Sequence, residues 1–426
     1  MTTNRAFSSW DDTHSALGTT VRKRRERARG LMTVLAVGAG QLNAREIYRA
    51  EGFRVEFVRD WKQAAARWND INSSTLFQNH RWLEAWYAAF ADVAEVEPLI
   101  AIILDAATSE QVALLPLVRR VKNGIRIVEF ADLNLTDYNA PLLTAAAPRH
   151  AVAARAFWGD LLIALKRSPG SADLIRLRKM PIRLAGQPNP LALLDATRPC
   201  PLNGNVVTTG DDFDAYRYSL ERTVRKNLER SWRVFTRDPA AGFRIVTDRD
   251  EALRVLSTMA VQQGARMRHL GLNFVLDDET SAAFYRHLVG ENLESGYAVL
   301  SALTVGEEVV ATLLGVRSGS RYVMLRISHA GAKWSNCSPG RLIIERTMAA
   351  LHKEGVRSFD FSIGNYAYKR RFGVAPLPLV DITAALGWRG IPYALRDRAV
   401  SELRRYPRLA AFVGRLLGKP PSREES

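Results

Sequence analysis

The sequence predicts an α+β (mixed α/β) fold of two tandem domains, each a mixed, mainly antiparallel sheet flanked by helices. The chain has 426 residues, which exceeds the roughly 250–300 residues at which one hydrophobic core usually stops growing. With 47% hydrophobic and 24% charged residues, the composition is that of a globular protein. The predicted elements also follow one order in both halves: strand, two helices, three strands, helix, strand. Two domains of the same kind are therefore expected.

In the first half, apolar residues alternate in the predicted strands and recur with the helical period in the predicted helices. Trp82 and Trp86 are spaced i, i+4 on one helix face, which favours core packing. A tight turn is predicted at Lys122-Asn123-Gly124. The strands are predicted at residues 53–58, 99–104, 112–118, 125–130 and 173–178, and the helices at 61–69, 81–90 and 149–166.

The second half repeats this order with clearer turn signals. Gly306-Glu307 and Ser318-Gly319-Ser320 carry the residue types that hairpins favour. No residue-level identity links the halves, so the repeat rests on element order alone. The strands are predicted at residues 243–246, 297–305, 309–317, 321–328 and 358–361, and the helices at 250–266, 278–292 and 341–353.

A proline-rich passage at residues 181–201 separates the halves. We therefore expect a basic, disordered tail at residues 1–50, a first domain at 51–200, a second domain at 201–390 and a basic helical tail at 391–426. The basic run at 21–27 before an apolar stretch imitates a signal peptide, but polar residues follow it and no small-residue cleavage site is clear. Met32 is an alternative start to Met1.

Charge and cysteine usage limit the partners. Sixty basic against forty-four acidic residues give a net charge of +16, which favours phosphates, nucleic acid or anionic lipid. No aromatic-glycine RNA-binding motif accompanies this charge, so dedicated nucleic-acid binding is not expected. Cys200 and Cys337 match no metal or redox spacing, and no apolar run reaches the roughly 18 residues of a membrane span. We expect no metal and a cytoplasmic location, with peripheral contact to an anionic inner membrane left open.

The sharpest local feature is Ser338-Pro339-Gly340-Arg341, which opens an apolar helix after a predicted strand and an irregular loop. Proline suits the first helical turn, and glycine lets a ligand approach the backbone closely. The first amides of a helix have no internal partner and attract anions, so the junction predicts a cradle for a pyrophosphate. On these residues alone, an ordinary helix start capped by Ser338 is an equal alternative.

A second cluster follows the strand predicted at residues 358–361. A polar turn at residues 360–365 leads into the aromatic-basic run at 368–373, which contains Tyr368 and Lys369. Loops at the ends of such strands commonly carry functional sites. The alternative for residues 369–371 is a solvated helix face.

Four segments resemble the CelD-like branch of the GNAT acetyltransferases, named for cellulose biosynthesis and distantly similar to the Fem peptidyltransferases. The resemblance covers about residues 53–388 and is specific in its combination of motifs. The matching segments are FQNHRWLEAW at 77–86, RKNL at 225–228, SPGRL at 338–342, and the stretch from Asp360 through Gly364 to Lys369. It implies tandem GNAT-like domains, with acyl-coenzyme A, acetyl-coenzyme A in the simplest case, bound at the second.

Acyl transfer needs a group that accepts the nucleophile's proton and donors aimed at the carbonyl oxygen. Asp360 and Tyr368 are favoured as catalytic site residues because they lie in a matching motif. His329 at a strand end has a suitable side chain, although a lone histidine is more often structural, and Glu307 and Glu308 are further candidates. For donor binding, the predicted residues are Ser338, Pro339, Gly340, Arg341, Leu342, Lys369 and Arg225; Arg225 has the alternative of a solvated helix face.

The sequence therefore predicts an acyltransferase of the N- or O-acetyltransferase type that uses an amine or hydroxyl acceptor. The resemblance implies a role in polysaccharide or envelope biosynthesis, with a saccharide or lipid precursor as acceptor. Two alternatives remain. One is a Fem-like peptidyltransferase that uses aminoacyl-tRNA; the other is a non-catalytic assembly module at a membrane surface, with basic residues 396–408 on anionic lipid.

Overall fold

The computed structural model describes residues 52–68, 75–271, 274–364, 366–404 and 406. The predicted tail at residues 1–50, Asn365 of the second cluster and the tail beyond residue 406 lie outside the described residues. None of the helices in the described part has the length and apolar character that a membrane crossing requires.

The helices mostly match the predicted periods in position. They are α1 (Trp61–Ala66), α2 (His80–Ala89), α3 (Ala151–Arg167), α4 (Phe213–Ser219), α5 (Arg222–Phe235), α6 (Arg249–His269), α7 (Glu279–Asn292), α8 (Pro339–Lys353), α9 (Ala367–Arg370) and α10 (Ile391–Arg404).

The strands include short pairing segments that the sequence did not predict. They are β1 (Phe53–Val58), β2 (Val96–Pro98), β3 (Ile100–Asp105), β4 (Gln111–Leu115), β5 (Leu117–Lys122), β6 (Ile125–Phe130), β7 (Leu142–Leu143), β8 (Leu174–Pro181), β9 (Arg183–Leu184), β10 (Gln187–Pro188), β11 (Arg198–Pro199), β12 (Gly204–Thr208), β13 (Ala241–Val246), β14 (Ala298–Val305), β15 (Glu308–Ser318), β16 (Arg321–His329), β17 (Ser358–Asp360), β18 (Ala375–Leu377) and β19 (Leu379–Ala385).

The strands form three larger sheets and one small ribbon, β10-β9. The first half contains a four-stranded sheet, β1-β3-β4-β7, and most of a six-stranded sheet, β11-β19-β8-β6-β5-β2. The second half contains a seven-stranded sheet, β13-β14-β15-β16-β17-β12-β18. Neighbouring strands are antiparallel except for β6 with β8 and β16 with β17. The predicted fold class, mixed and mainly antiparallel sheets flanked by helices, is confirmed.

One predicted strand is in fact two. The segment predicted at residues 112–118 divides at Pro116 into β4, which joins the four-stranded sheet, and β5, which joins the six-stranded sheet. Proline cannot donate to a strand ladder, so it favours a change of partner at this position. The apolar alternation continues through Pro116, which is why the pattern alone predicted one strand.

The late strand β19 was not predicted and joins a sheet of the first half. It pairs antiparallel with β8, from Leu379 opposite Pro181 to Ala385 opposite Leu174. The chain thus returns to the first half before α10, which packs on β19. The domain limits at residues 200 and 390 stay a prediction.

Each half contains one parallel strand pair that soon diverges. The β6 and β8 strands pair only at residues 127–128 and 174–175, and β16 and β17 only at residues 321–323 and 358–360. Beyond Val323, β16 continues to His329 without β17 as a partner. The two halves, whose elements were predicted to follow the same order, therefore each contain a parallel strand pair that diverges.

An aromatic cluster packs the two halves together. Trp82 and Trp86 are fully buried, as predicted for core residues. The Trp82 ring meets Phe77 edge to face at 4.8 Å and Phe284 of α7 at 5.0 Å between centroids. Its Nε1 donates to Thr136 Oγ1 at 3.2 Å. The first-half helix α2 thereby packs on α7 of the second half, which holds the two divergent strand pairs in a fixed relation.

Candidate functional site

The junction at the start of α8 has an unusual backbone. Ser338 is in the left-handed region with a φ of 46°, and its side chain makes no capping bond to the helix. The Ser338 carbonyl accepts from the amides of Arg341 and Leu342 at 3.0 and 3.2 Å. Pro339 has no amide proton, and the Gly340 amide finds no acceptor within the described residues. One amide at the positive end of α8 is therefore available to an anion.

His329 lies directly against this junction. A Cβ at Gly340 would be 3.4 Å from His329 Cδ2. The ring's Nδ1 is 3.1 Å from the Ala330 carbonyl oxygen, to which it can donate, and its Nε2 is 3.4 Å from Arg266 Nη1. With Nδ1 protonated, Nε2 can accept from Arg266. The structure thus brings His329 and Gly340 together, beside a cationic side chain of α6.

Positive charge collects around the free amide. Arg341 donates from Nη2 to Ser338 Oγ at 2.8 Å and is half-buried. Partial burial lowers the pKa of Arg341, and the nearby charge of Arg371 lowers it further. Tyr368 is half-buried and stacks on Tyr366 at 5.9 Å between centroids. Burial raises the pKa of Tyr368, while the charge of Arg266 acts in the opposite direction. The surroundings therefore suit an anion and keep Tyr368 protonated.

Asp360 lies at the end of β17 and joins the two halves. It is 4% exposed, and its Oδ1 accepts from the Tyr138 hydroxyl and from the Ser362 amide, both at 2.7 Å. Burial raises the pKa of Asp360 to about 6, and these hydrogen bonds oppose the rise. Because Oδ1 already has both partners, Asp360 holds the loop after β17 in place. Its role in catalysis stays a prediction.

Lys369 is buried and not part of a solvated helix face. It is 3% exposed, and its Nζ donates to the Ile363 carbonyl at 2.7 Å and to the Ser362 carbonyl at 3.3 Å. Burial lowers the pKa of Lys369 to about 8, while the charges of Asp137 and Asp360 oppose the change. The solvated-face alternative applies to Arg370 and Arg371, which are exposed.

Asp137 is a candidate site residue that the sequence did not indicate. Its Oδ2 accepts from the Ser362 hydroxyl, and Oδ1 has no hydrogen-bond partner among the residues described. Burial raises the pKa of Asp137, although the charges of Lys179 and Lys369 act against this. The polar turn that carries it follows β6, the first-half counterpart of β16. The equivalence of β6 and β16 was the one signal that could have indicated Asp137. It is recognisable only when the pairing of the strands is known.

Three predicted donor-binding residues have other contacts in the structure. Leu342 is fully buried in the core beneath α8, and Pro339 is buried as well. Arg225 lies on α5, where its guanidinium donates to the carbonyls of Tyr218 and Leu220 and covers the Tyr218 ring at 5.3 Å. Contact of these side chains with a donor stays a prediction.

Side chains bridge the two strands where they diverge in the first half. Lys179 of β8 pairs with Asp132, which follows β6, at 2.7 Å between Nζ and Oδ2. Asn139 Nδ2 donates to the same Asp132 oxygen at 2.9 Å and to the Arg178 carbonyl at 3.0 Å. In the second half, β16 instead carries a bulge, because Arg326 faces Leu314 and Met324 faces Gly315 while Leu325 has no partner. Bulges redirect side chains and are frequent beside active sites.

Comparison with known proteins identifies the domain around this divergence. Residues 222–370 match the family model of the acetyltransferase (GNAT) domain. The sequence matches no curated protein. This match supports an acyltransferase, at the level of the family.

Solved structures resemble the chain in fold at low identity. A crystal structure of FemX has 10% identity and a TM-score of 0.52, and the match covers 77% of this chain and 96% of FemX. A protein of unknown function from Bacteroides thetaiotaomicron has 10% identity and a TM-score of 0.46, covering 78% and 99%. A tandem GNAT protein from the clavulanic acid biosynthesis pathway has 12% identity and a TM-score of 0.41, covering 78% and 99%. The FemX likeness shows that one fold extends over both halves.

The raised pKa of Asp360 predicts a pH-dependent stability. Its folded pKa of about 6 exceeds the ordinary value of 3.8, so burying the charge costs stability above pH 6, and protonation removes that cost as the pH falls from 6 towards 4. Asp360→Asn keeps an accepting oxygen without the charge. We expect the difference in unfolding free energy between Asp360→Asn and the wild type to be about 3 kcal/mol more favourable to the variant at pH 7.5 than at pH 4. This follows from about 1.4 kcal/mol per pKa unit.

Urea unfolding of both proteins at the two pH values measures this gain. Asp360→Ala is the control, since it lacks the oxygen that accepts from Tyr138 and should lose stability at either pH. A difference between wild type and Asp360→Asn that does not change with pH would contradict the assignment.

Proposed function

We propose that the chain transfers an acyl group, acetyl in the simplest case, from acyl-coenzyme A to an amine or hydroxyl acceptor. The observation that carries the proposal is the free Gly340 amide at the start of α8, beside the divergence of β16 from β17. A helix N-terminus with a free amide binds phosphate oxygens. Arg341, Arg371 and Arg266 add positive charge around it, which fits the pyrophosphate of coenzyme A.

The thioester then lies along β16, beyond the residues that pair with β17. The bulge at Leu325 and the strand after it offer backbone groups to the thioester carbonyl oxygen, where negative charge develops during attack. The acceptor's nitrogen or oxygen attacks the carbonyl carbon, a new C–N or C–O bond forms and the C–S bond breaks. Tyr368, kept protonated, donates its hydroxyl proton to the departing sulfur.

Asp137 is the proposed acceptor of the nucleophile's proton. Its Oδ1 is unpaired within the described part of the chain, its Oδ2 is held by Ser362, and its pKa is raised by burial, which suits a general base. Asp360 and Lys369 act indirectly, by fixing the Ser362 loop through its amide and its carbonyl. His329 belongs to the donor side, next to Gly340.

The finer identity rests on the resemblance to the CelD-like branch. It supports a saccharide or lipid precursor of the cell envelope as acceptor and a reaction in the cytoplasm. The second candidate function is a Fem-like transfer from aminoacyl-tRNA. It is favoured by α5, which presents exposed Arg222, Lys226, Arg230 and Arg233 and could bind a nucleic-acid backbone.

An exposed apolar surface at the start of α10 supports the proposed peripheral location and also the non-catalytic alternative. Trp388 is 80% exposed, and Ile391 and Leu395 of α10 are 46% and 62% exposed. Arg389 anchors this segment by donating to the Gly124 carbonyl of the β5–β6 hairpin. Exposed apolar side chains among arginines are typical of helices that lie on anionic lipid.

Gly340→Trp tests the donor site. The indole would cover the free amide, while the backbone at Gly340 is not in the left-handed region and tolerates a side chain. We expect calorimetry to show acetyl-coenzyme A binding to the wild type and at least tenfold weaker binding to the variant. Gly159→Trp on α3 is the matched control, since a Cβ at Gly159 would have no neighbouring atom within 4 Å. Equal affinity of the two variants places the donor elsewhere; no heat with acetyl-coenzyme A but binding of charged tRNA favours the Fem-like function.

Asp137→Asn tests the proton acceptor. The amide keeps the hydrogen-bonding shape but cannot take a proton, so we expect the transfer rate to fall about 100-fold or more. Incorporation of label from acetyl-coenzyme A into the small molecules of a cell extract measures the rate. Calorimetry with acetyl-coenzyme A should give unchanged affinity. A variant that transfers label as fast as the wild type would exclude Asp137 from this role.

Removal of the exposed apolar side chains tests the membrane contact. Trp388→Ala combined with Leu395→Ala should reduce binding to vesicles that contain phosphatidylglycerol by about tenfold or more. Each substitution removes the favourable free energy of transferring an apolar side chain from water into the membrane interface. Vesicle flotation measures the bound fraction. Val152→Ala, an exposed apolar residue on α3, should bind like the wild type. Equal flotation of all three proteins, or equal binding to neutral vesicles, argues against an anionic membrane as partner.

A further inference from the structure

Arg326 is a buried cation on the central strand of the second half. It follows the bulge in β16 and is 6% exposed. Its side chain lies between α6 and α7, 4.7 Å from the Tyr285 ring centroid and 6.0 Å from that of Phe274. Arginine is almost never this buried unless it is paired.

The guanidinium is only partly satisfied. Nε donates to Gln263 Oε1 at 2.9 Å, and Nη2 donates to the same oxygen. The remaining nitrogen, Nη1, is buried and has no hydrogen-bond partner, and no carboxylate pairs with Arg326 anywhere in the described ranges. Burial lowers the pKa of Arg326 to about 10, yet at neutral pH the group remains charged. A full positive charge therefore lies inside the protein with no counter-ion from the described residues.

An uncompensated buried charge destabilises the fold, because its lost hydration is not replaced. Features that destabilise the fold and have no structural role are found mainly at functional sites. An orphaned N–H of a charged group is satisfied when a ligand brings an acceptor to it. The free Nη1 therefore indicates a place for an anionic group that the protein itself does not supply.

The position of Arg326 relative to the proposed donor site follows from β16, whose side chains point alternately to the two faces of the sheet. After the bulge, Ile327 and His329 face the start of α8, where a Cβ on Gly340 would be 4.0 and 3.4 Å from their side chains. Arg326 and Ser328 point to the opposite face, where they bond Gln263 and Gln262 of α6. The proposed donor site and Arg326 thus lie on opposite sides of the same strand.

Tyr285, which packs against Arg326, is also affected by the charge of Asp137. Burial raises the pKa of Tyr285 to about 12, the charge of Arg326 lowers it, and the charge of Asp137 raises it. Tyr285 therefore lies within electrostatic reach of both groups.

We propose that the acceptor carries a carboxylate that binds Nη1 of Arg326. The inference rests on the proposed acyl transfer and specifies its acceptor as an amino or hydroxy compound with a carboxylate, such as an amino acid, a peptide or a sugar acid. One free nitrogen and one unit of charge match a carboxylate, whose single negative charge balances the site. A phosphate dianion would leave excess negative charge in the same buried place.

Arg326→Met tests the proposal through binding of a simple carboxylate. Sodium propionate, compared with sodium chloride at equal ionic strength, should raise the melting temperature of the wild type and leave that of the variant unchanged. Calorimetric affinity for propionate should fall at least tenfold. Without propionate the variant should melt higher than the wild type, because an apolar side chain replaces an unpaired charge. Arg317→Met is the matched control, since Arg317 on β15 is paired with Glu354 and should keep the propionate response.

The same measurements in the Gly340→Trp protein exclude binding of propionate at the start of α8. A propionate response that survives Arg326→Met, or that is absent from the wild type, overturns the proposal. Inorganic phosphate that stabilises the wild type more than propionate, and through Arg326, overturns the choice of a carboxylate. Failure of acetyl-coenzyme A to bind, with the propionate response intact, instead refutes the acyl-transfer function, so the two failures are distinguishable.

Discussion

The hydrogen bond from the Tyr138 hydroxyl to the Asp360 carboxylate is the contact on which the site depends. Tyr138 follows β6 in the first half, and Asp360 ends β17 in the second. The bond needs Gly204 on β12, because a Cβ there would overlap the Tyr138 hydroxyl. It fixes the end of β17 and, through the Ser362 amide, the loop that holds Lys369 and faces Asp137. The geometry of the second-half divergence is therefore set by a residue of the first half.

The two halves use equivalent strand divergences differently. In the first, the ion pair of Asp132 with Lys179 and the amide of Asn139 bridge the strands. In the second, the corresponding strand bears a bulge, an unpaired cation and a neighbouring helix start with a free amide. These second-half features all lie within residues 222–370, the segment that matches the GNAT domain.

Much of the fold follows from local patterns, whereas the site largely does not. Alternation and helical period place most strands and helices within a few residues, and proline, glycine and free helix amides identify the α8 junction. The bonds of Tyr138 to Asp360 and of Ser362 to Asp137 join residues 222 and 225 positions apart, and no local pattern carries such pairs. Arg326 reads as one polar residue in a strand, because its burial is created by α6 and α7. For Lys369 the sequence leaves a solvated helix face open as an alternative, because its burial is created by the loop whose carbonyls it contacts.

Three buried charged groups lie in this region of the second half. Asp360, Lys369 and Arg326 are each less than a tenth exposed, and burial shifts the pKa of each in the direction that favours the uncharged form. Such groups oppose folding, so the aromatic packing of Trp82 against Phe77 and Phe284 must more than offset them. Charges retained at this cost within one strand divergence are better explained by chemistry than by stability. That reasoning favours a catalytic second half over a degenerate fold, whatever surface α10 contacts.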